Sequence, residues 1–284
     1  MNIRPARAWR GGATVAFFLL LGLLPARAGV SPQDGYAADG TPKIHIELAP
    51  YVWLPASNSQ ATLRNGATAA ISAGVPSVSQ LTNVLTGAFM GMGLLRYGPW
   101  SAELDIDYVG ASQEKGLPGG AVGVSRSLKF DISTVRVAPG IGYQVFNGPV
   151  AGIPATLDAR VGFSWFTSSS TLGLDRIGPL GRERAFTIDE SGEFTQPWLG
   201  LRASIYPGPR WRFQLVASGQ GFGVGGGTWG WSVAAIGTWA ATNWLNLNAG
   251  FIAQHESGTL APSRLIRELS TTLYGPVLSV SFTF

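Results

Sequence analysis

The sequence contains no cysteine and only two histidines, and just 13 % of its 284 residues are charged. Without cysteine there are no disulfides, no thiolate metal sites and no thiol nucleophiles. With His45 and His255 alone, histidine-based catalysis and dedicated transition-metal binding have few ways to form. Beyond the first 28 residues the chain also lacks any apolar run of the roughly 18 residues that a membrane helix requires. Yet the mean hydropathy is +0.18. A chain this apolar without spanning helices either buries a large soluble core or crosses a membrane as strands. Spanning strands must close on themselves, because lipid tolerates no unpaired edge.

Residues 1–28 read as an export signal. Arg4, Arg7 and Arg10 precede an apolar run over 13–24, and Ala26-Arg27-Ala28 is a small-x-small site that predicts cleavage after Ala28. No cysteine follows to carry a lipid anchor. The chain holds 20 basic and 16 acidic residues; four of the basic ones (Arg4, Arg7, Arg10 and Arg27) lie in the signal and no acidic one does, leaving 16 against 16. The basicity is an export feature and argues for no nucleic-acid partner. Residues 29–42, rich in Gly, Pro and Asp, read as a short flexible periplasmic lead-in to a domain over 43–284.

That domain alternates with a period of two, the mark of strands with one apolar and one polar face. Ten strands are predicted. The first covers 43–54, with Pro50 expected to cause a bulge. The second covers 86–97 and the third 100–110, where Trp100, Ala102, Leu104, Ile106 and Tyr108 alternate with Ser101, Glu103, Asp105 and Asp107. The fourth, 128–143, changes parity partway, which predicts a bulge near Ser133 and Thr134 or a break at Pro139. The fifth to ninth centre on 156–165, 193–206, 211–220, 229–239 and 245–254. The tenth, 269–284, sets Tyr274, Leu278, Val280, Phe282 and Phe284 against Ser279, Ser281 and Thr283. Between them lie a long Ser/Thr/Ala/Gly-rich segment (56–85) with a hairpin over 59–73 and a helical turn near 80–85, and a polar loop over 168–192.

Connections after odd-numbered strands read as long, and those after even-numbered ones as short. An even strand count with that alternation is the plan of an up-and-down antiparallel transmembrane β-barrel, with both termini in the periplasm of a Gram-negative bacterium. Eight strands is the alternative count.

An amphipathic last strand ending on Phe282 and Phe284 resembles the C-terminal signal by which outer-membrane barrels are recognised for insertion. The order Ala49-Pro50-Tyr51-Val52-Trp53-Leu54-Pro55, a loop with Ser79-Gln80-Leu81-Thr82-Asn83-Val84-Leu85, a Gly-rich strand and then Arg96-Tyr97-Gly98-Pro99-Trp100 resembles a broad family of small, mostly uncharacterised proteobacterial outer-membrane barrel proteins. The resemblance covers the N-terminal third. It implies a fold, an outer-membrane location, contact with outer-membrane lipid and lipopolysaccharide, and passage through the barrel-insertion machinery. It implies no activity, no cofactor and no site residues.

On parity, Glu47, Glu103, Asp105, Asp107, Asp158, Arg160, Arg202 and Arg212 face the lumen. They form either a structural charge network or a constriction that filters solutes. His255 and Ser257 share a face of their strand, the one pairing that could suit nucleophilic catalysis, but the chain reads as non-enzymatic, without metal. The expected function is a narrow channel for ions or small solutes; the alternative is a closed barrel presenting surface loops for adhesion or interaction. The sequence leaves the oligomeric state open.

Overall fold

The computed structural model describes residues 30–63, 66, 68–74, 85–116, 125–177, 183–224, 229–259 and 266–284. The export segment and, apart from Leu85, the expected helical turn near 80–85 lie outside these residues. Among the described residues twelve strands run in chain order: β1 (Ile44–Trp53), β2 (Ala56–Leu63), β3 (Thr68–Ala73), β4 (Leu85–Tyr97), β5 (Trp100–Gly116), β6 (Ser125–Val150), β7 (Ile153–Ile177), β8 (Glu183–Gly208), β9 (Trp211–Gln220), β10 (Trp229–Ala240), β11 (Leu245–Thr259) and β12 (Ile266–Thr283). β1 and β4 to β12 pair antiparallel, each with its neighbour, and β1 pairs with β12 to shut a ten-stranded barrel. Phe284 completes the seam, exchanging backbone hydrogen bonds with Ile46.

β2 continues β1 past Leu54 and Pro55. Both lie against β12, which pairs with β1 over 277–283 and with β2 over 266–274. β3 folds back on β2 as the expected hairpin. The β1–β4 ladder ends at Pro50↔Gly91, and the β1–β12 register runs from Leu48↔Phe282 to Tyr51↔Ser279 without a shift. Pro50 therefore stops one ladder and makes no bulge, contrary to the sequence expectation.

The barrel is apolar outside and polar inside. On β7, Val161 and Phe163 are 50 % and 61 % exposed, while Asp158 and Ser164 are 1 % and 2 % exposed. Thr238 and Ser281 are fully buried, and Leu278 is 62 % exposed. A soluble sandwich would invert these values; a barrel in lipid requires them. Aromatics ring the outer face at two levels. Tyr97, Trp100, Tyr143, Trp211 and Trp244 lie near the end that carries the termini, and Tyr108, Trp165, Trp229 and Trp231 towards the far end. From Trp100 to Tyr108 is about 27 Å at about 3.4 Å per residue. With strands tilted by about 40°, that is a little over 20 Å of depth, close to the roughly 25 Å apolar band of such barrels.

Several expected loops are strands. β6, β7 and β8 are 26, 25 and 26 residues long, whereas β9 has 10. A crossing needs only about 9–11 residues, so these three strands rise well past the band. They absorb most of the polar segment over 168–192 that reads as a loop. The β6 ladder to β5 is unbroken from Tyr143 to Ser127, so neither a bulge near Ser133 nor a break at Pro139 exists. The register shift lies at 144–146 instead. At the terminal end the turns are tight. Ala151 (φ 50°) and Gly152 (φ 80°) join β6 to β7 in left-handed conformations, and Gly98 (φ 57°) joins β4 to β5.

Residues 30–42 are folded against the terminal mouth and are not a flexible lead-in. Val30 N–H donates to Pro209 O at 3.0 Å, and Val30 packs with Tyr206 and Ala240. The Gly35 carbonyl accepts from Lys43 and Gly98 N–H at 2.7 and 2.9 Å. Gly35 has φ 95°, and a Cβ there would lie 2.7 Å from Arg96 Cγ, so only glycine fits.

Candidate functional site

Alternation on each strand delivers the lumen charges, and the closed barrel brings them together. All eight residues singled out from the sequence lie inside. At the lowest level Arg212 of β9 donates to both oxygens of Glu47 on β1, at 3.0 and 3.2 Å. Beside them Arg96 of β4 grips Asp158 of β7 at 2.6 and 3.2 Å. One level up, Glu103 of β5 accepts from Arg160 of β7 (2.7 Å) and Arg202 of β8 (2.5 Å). Arg202 also lies 3.9 Å from Asp158, which ties the two levels together. Above these, Arg136 of β6 bridges Asp105 and Asp107 at 2.5 and 2.7 Å. The Tyr51 hydroxyl reaches the same two carboxylates from β1, at 3.0 and 2.5 Å.

These contacts are struts and not neighbours on one wall. In the order of the ten barrel strands, β1 and β9 are four places apart, and β4–β7 and β5–β8 are each three apart. The Glu47–Arg212, Arg96–Asp158 and Glu103–Arg202 pairs therefore cross the lumen. Five acids (Glu47, Glu103, Asp105, Asp107, Asp158) face five arginines (Arg96, Arg136, Arg160, Arg202, Arg212). Removing one member of such a buried pair strands its partner, which costs far more than the pair itself contributes.

Trp198 of β8 fills the wall beside the belt. It lies in register with Gly162, itself in register with Gly140. A Cβ at Gly162 would sit 2.2 Å from Pro139 O, and one at Gly140 would sit 2.4 Å from the Trp198 ring. The two glycines thus make the flat seat on which the indole rests, and Arg160 lies 5.2 Å from its ring centre. The belt borders a lumen cavity of about 220 Å³, whose lining includes Glu47, Glu103, Arg160, Arg202 and Arg212. One side carries Tyr51, Asp105, Asp107 and Arg136; the other carries Val216, Ala234, Ile236 and Ile252.

Tyr51, Arg96 and Arg136 complete the belt but escape the sequence reading. Tyr51 shares the Glu47 parity and was readable. Arg96 ends a Gly-rich strand with no clear alternation, and Arg136 falls in the strand whose parity changes.

The two histidines lie at opposite ends of the barrel. His255 points outward. It sits between Trp229 and Trp231, with ring centroids at 5.1 and 6.2 Å, and its Nδ1 lies 2.8 Å from Thr272 Oγ1. Its neighbour Glu256 points inward and accepts from Gln220 at 2.7 Å. His45 lies at the terminal mouth, 4.0 Å from Asp34. Among the described residues no group of three or more His, Asp or Glu is placed to hold a metal ion. Phe282 lies on the outer face near the terminal end, against Trp244 at 6.1 Å.

Asp34, on the segment over the mouth, loses water as that segment packs, and burial pushes its carboxyl pKa up against the opposing pull of His45 and Arg212. Between the ordinary carboxylate value and the raised one, the docked segment binds more protons than the undocked one. Docking is therefore strongest below that window and weakens as pH rises through it. Hydrogen exchange at the Lys43 and Gly98 amides, corrected for intrinsic rate, is expected to show protection falling from acidic to neutral pH. Asp34→Asn is expected to flatten that dependence.

No protein-family model matches the chain, and no curated protein does either. Solved structures with a similar trace are outer-membrane proteins. The outer membrane protease OmpT from Escherichia coli is 12 % identical, with 85 % of this chain and 96 % of that one covered and a TM-score of 0.49. Ail, the attachment invasion locus protein of Yersinia pestis, is 8 % identical over 85 % and 99 % of the two chains, with a TM-score of 0.34. A Pseudomonas aeruginosa FadL homologue is 8 % identical over 91 % and 96 %, with a TM-score of 0.28.

Proposed function

We propose that this chain is an outer-membrane barrel closed to conduction, with a cup above the closure and a tall β6–β8 surface extension for contact outside the cell. The observation that carries the reading is the belt: three ion pairs cross the lumen, and every arginine in it has an acidic partner. A filter needs charges that a passing ion can borrow, whereas these are spent on each other. The segment over 30–42 adds a second closure at the terminal mouth. The reading places the termini in the periplasm, after export and cleavage at Ala28, with Phe282 and Phe284 as the insertion signal. Outer-membrane lipid and lipopolysaccharide are its surroundings and the barrel-insertion machinery its route.

Planar-bilayer recording of the chain from residue 29, refolded and shown by heat-modifiable gel mobility to be a barrel, tests this. The expected trace is silent. Discrete, reproducible steps from the folded protein would return the narrow channel for ions or small solutes as the correct function.

A further inference from the structure

Between the belt and the segment folded over the terminal mouth lies a second cavity, of about 20 Å³. The segment contributes Ser31 and Asp34 to its lining, and the belt contributes Arg96, Asp158, Arg202 and Arg212. Both Arg202 and Arg212 are more than nine-tenths buried, and each keeps one buried N–H without an acceptor: Nη1 of Arg202 and Nε of Arg212. Arg202 turns Nη2 to Glu103, which lines the larger cavity, and Nη1 towards Asp158, which lines the smaller one. Nη1 stops 3.9 Å from Asp158, beyond hydrogen-bond reach. The rung Ser204↔Gln214 lies between the levels of Arg202 and Arg212 on β8 and β9, and it lines the same cavity.

Bare buried donors mark a water or an ion, and charge decides between them. Glu103 serves both Arg160 and Arg202, so at the two lower levels of the belt four arginines share three carboxylates. The acids in excess, Asp105 and Asp107 around Arg136, stand at the upper level and line only the larger of the two cavities. Asp34 is the other carboxylate of the small cavity's lining. It lies 4.0 Å from His45, and burial disfavours its charged form. A water would satisfy the two N–H groups and leave the buried positive excess, which is costly. A monatomic anion answers both needs. The space is little more than one water requires, which excludes phosphate and carboxylate-bearing molecules.

We propose that this chamber holds one halide ion, such as chloride, on the free N–H groups of Arg202 and Arg212, and that the ion locks segment 30–42 over the mouth. Undocking the segment opens the chamber, so the ion binds the docked state and stabilises it by mass action. The proposal goes beyond the closed-barrel reading. Conductance steps would sink that reading and leave the chamber's own measurements standing.

The test uses the chain from residue 29, refolded in detergent micelles, with bromide as the probe. Crystals grown in sodium bromide are expected to show one anomalous peak between Arg202 and Arg212. In solution, hydrogen exchange at the Val30 and Lys43 amides, which bond to Pro209 and Gly35, reports undocking. It is expected to slow about tenfold at ten times the bromide dissociation constant, and not in gluconate at equal ionic strength. Gln214→Glu sets a carboxylate on the rung between the two arginines. It is expected to remove both the peak and the bromide dependence in a barrel that keeps its heat-modifiable mobility; if the variant does not fold, the parent's peak and exchange decide alone. The proposal is overturned by a chamber without a peak, which holds an ordered water only, or by a peak with no slowing of exchange, an adventitious ion only. Equal slowing in gluconate, or a folded Gln214→Glu variant that behaves like the parent, overturns it as well.

Discussion

Glu103→Ala is expected to destabilise the folded barrel by about 3–5 kcal/mol, the cost of stranding a buried charge. Glu103 is the carboxylate on which Arg160 and Arg202 converge, with one arginine on each oxygen. The loss leaves two guanidinium groups close together and 12 % and 6 % exposed, with only Asp158 within reach of Arg202. Reversible urea unfolding from lipid vesicles measures the change. The same variant removes a strut, so it is also expected to leak. The steps should favour anions, because the belt then carries one arginine in excess. Glu103→Gln retains an acceptor and should fall between the two. If Glu103→Ala unfolds at the parent's urea concentration and stays silent, the pair neither holds the barrel nor closes it.

Val161→Arg is expected to cost about 2–4 kcal/mol by the same assay, the range for arginine on the lipid face near the bilayer midplane. Val161 lies between Ile141 and Leu199 in register, on the outer face and well inside the two aromatic levels. Ser191→Arg introduces the same side chain on β8, on the exposed part that rises past the band. It should shift stability by no more than about 0.5 kcal/mol, as exposed surface substitutions usually do. Equal costs at the two positions would mean that Val161 does not face hydrocarbon.

The contrast between these two positions also explains which parts of the chain were readable in advance. A period of two survives in sequence only where one face of a strand meets lipid and the other meets the lumen. β5 obeys this from Trp100 to Tyr108, and its inward Glu103, Asp105 and Asp107 were read off directly. β6 obeys it from Val135 to Tyr143 and loses it at Ile132, Phe130 and Leu128, beyond the band, where neither face need be apolar. That change of parity looked like a bulge and hid Arg136. It likewise made loops of the upper parts of β7 and β8. The inward direction of each charge is a local property and was legible; its partner is not. Glu47 and Arg212 are 165 residues apart, and nothing short of the closed pairing brings them within 3.0 Å. The segment over 30–42 was missed for a related reason. It is held by backbone hydrogen bonds and two glycines in left-handed conformations, Gly35 and Gly40, which leave a composition that also suits a flexible linker.

The account stands or falls on which face of each strand meets lipid, and the chain's lack of cysteine gives a clean background for testing it. Single cysteines at Phe163 and Ser164, adjacent on β7 and 61 % and 2 % exposed, would carry a fluorescent thiol label in vesicles containing brominated acyl chains. The label at residue 163 is expected to be strongly quenched and the label at residue 164 scarcely at all. Equal quenching at the two sites, or the reverse order, would contradict the barrel's inside-out assignment and with it the lumen belt.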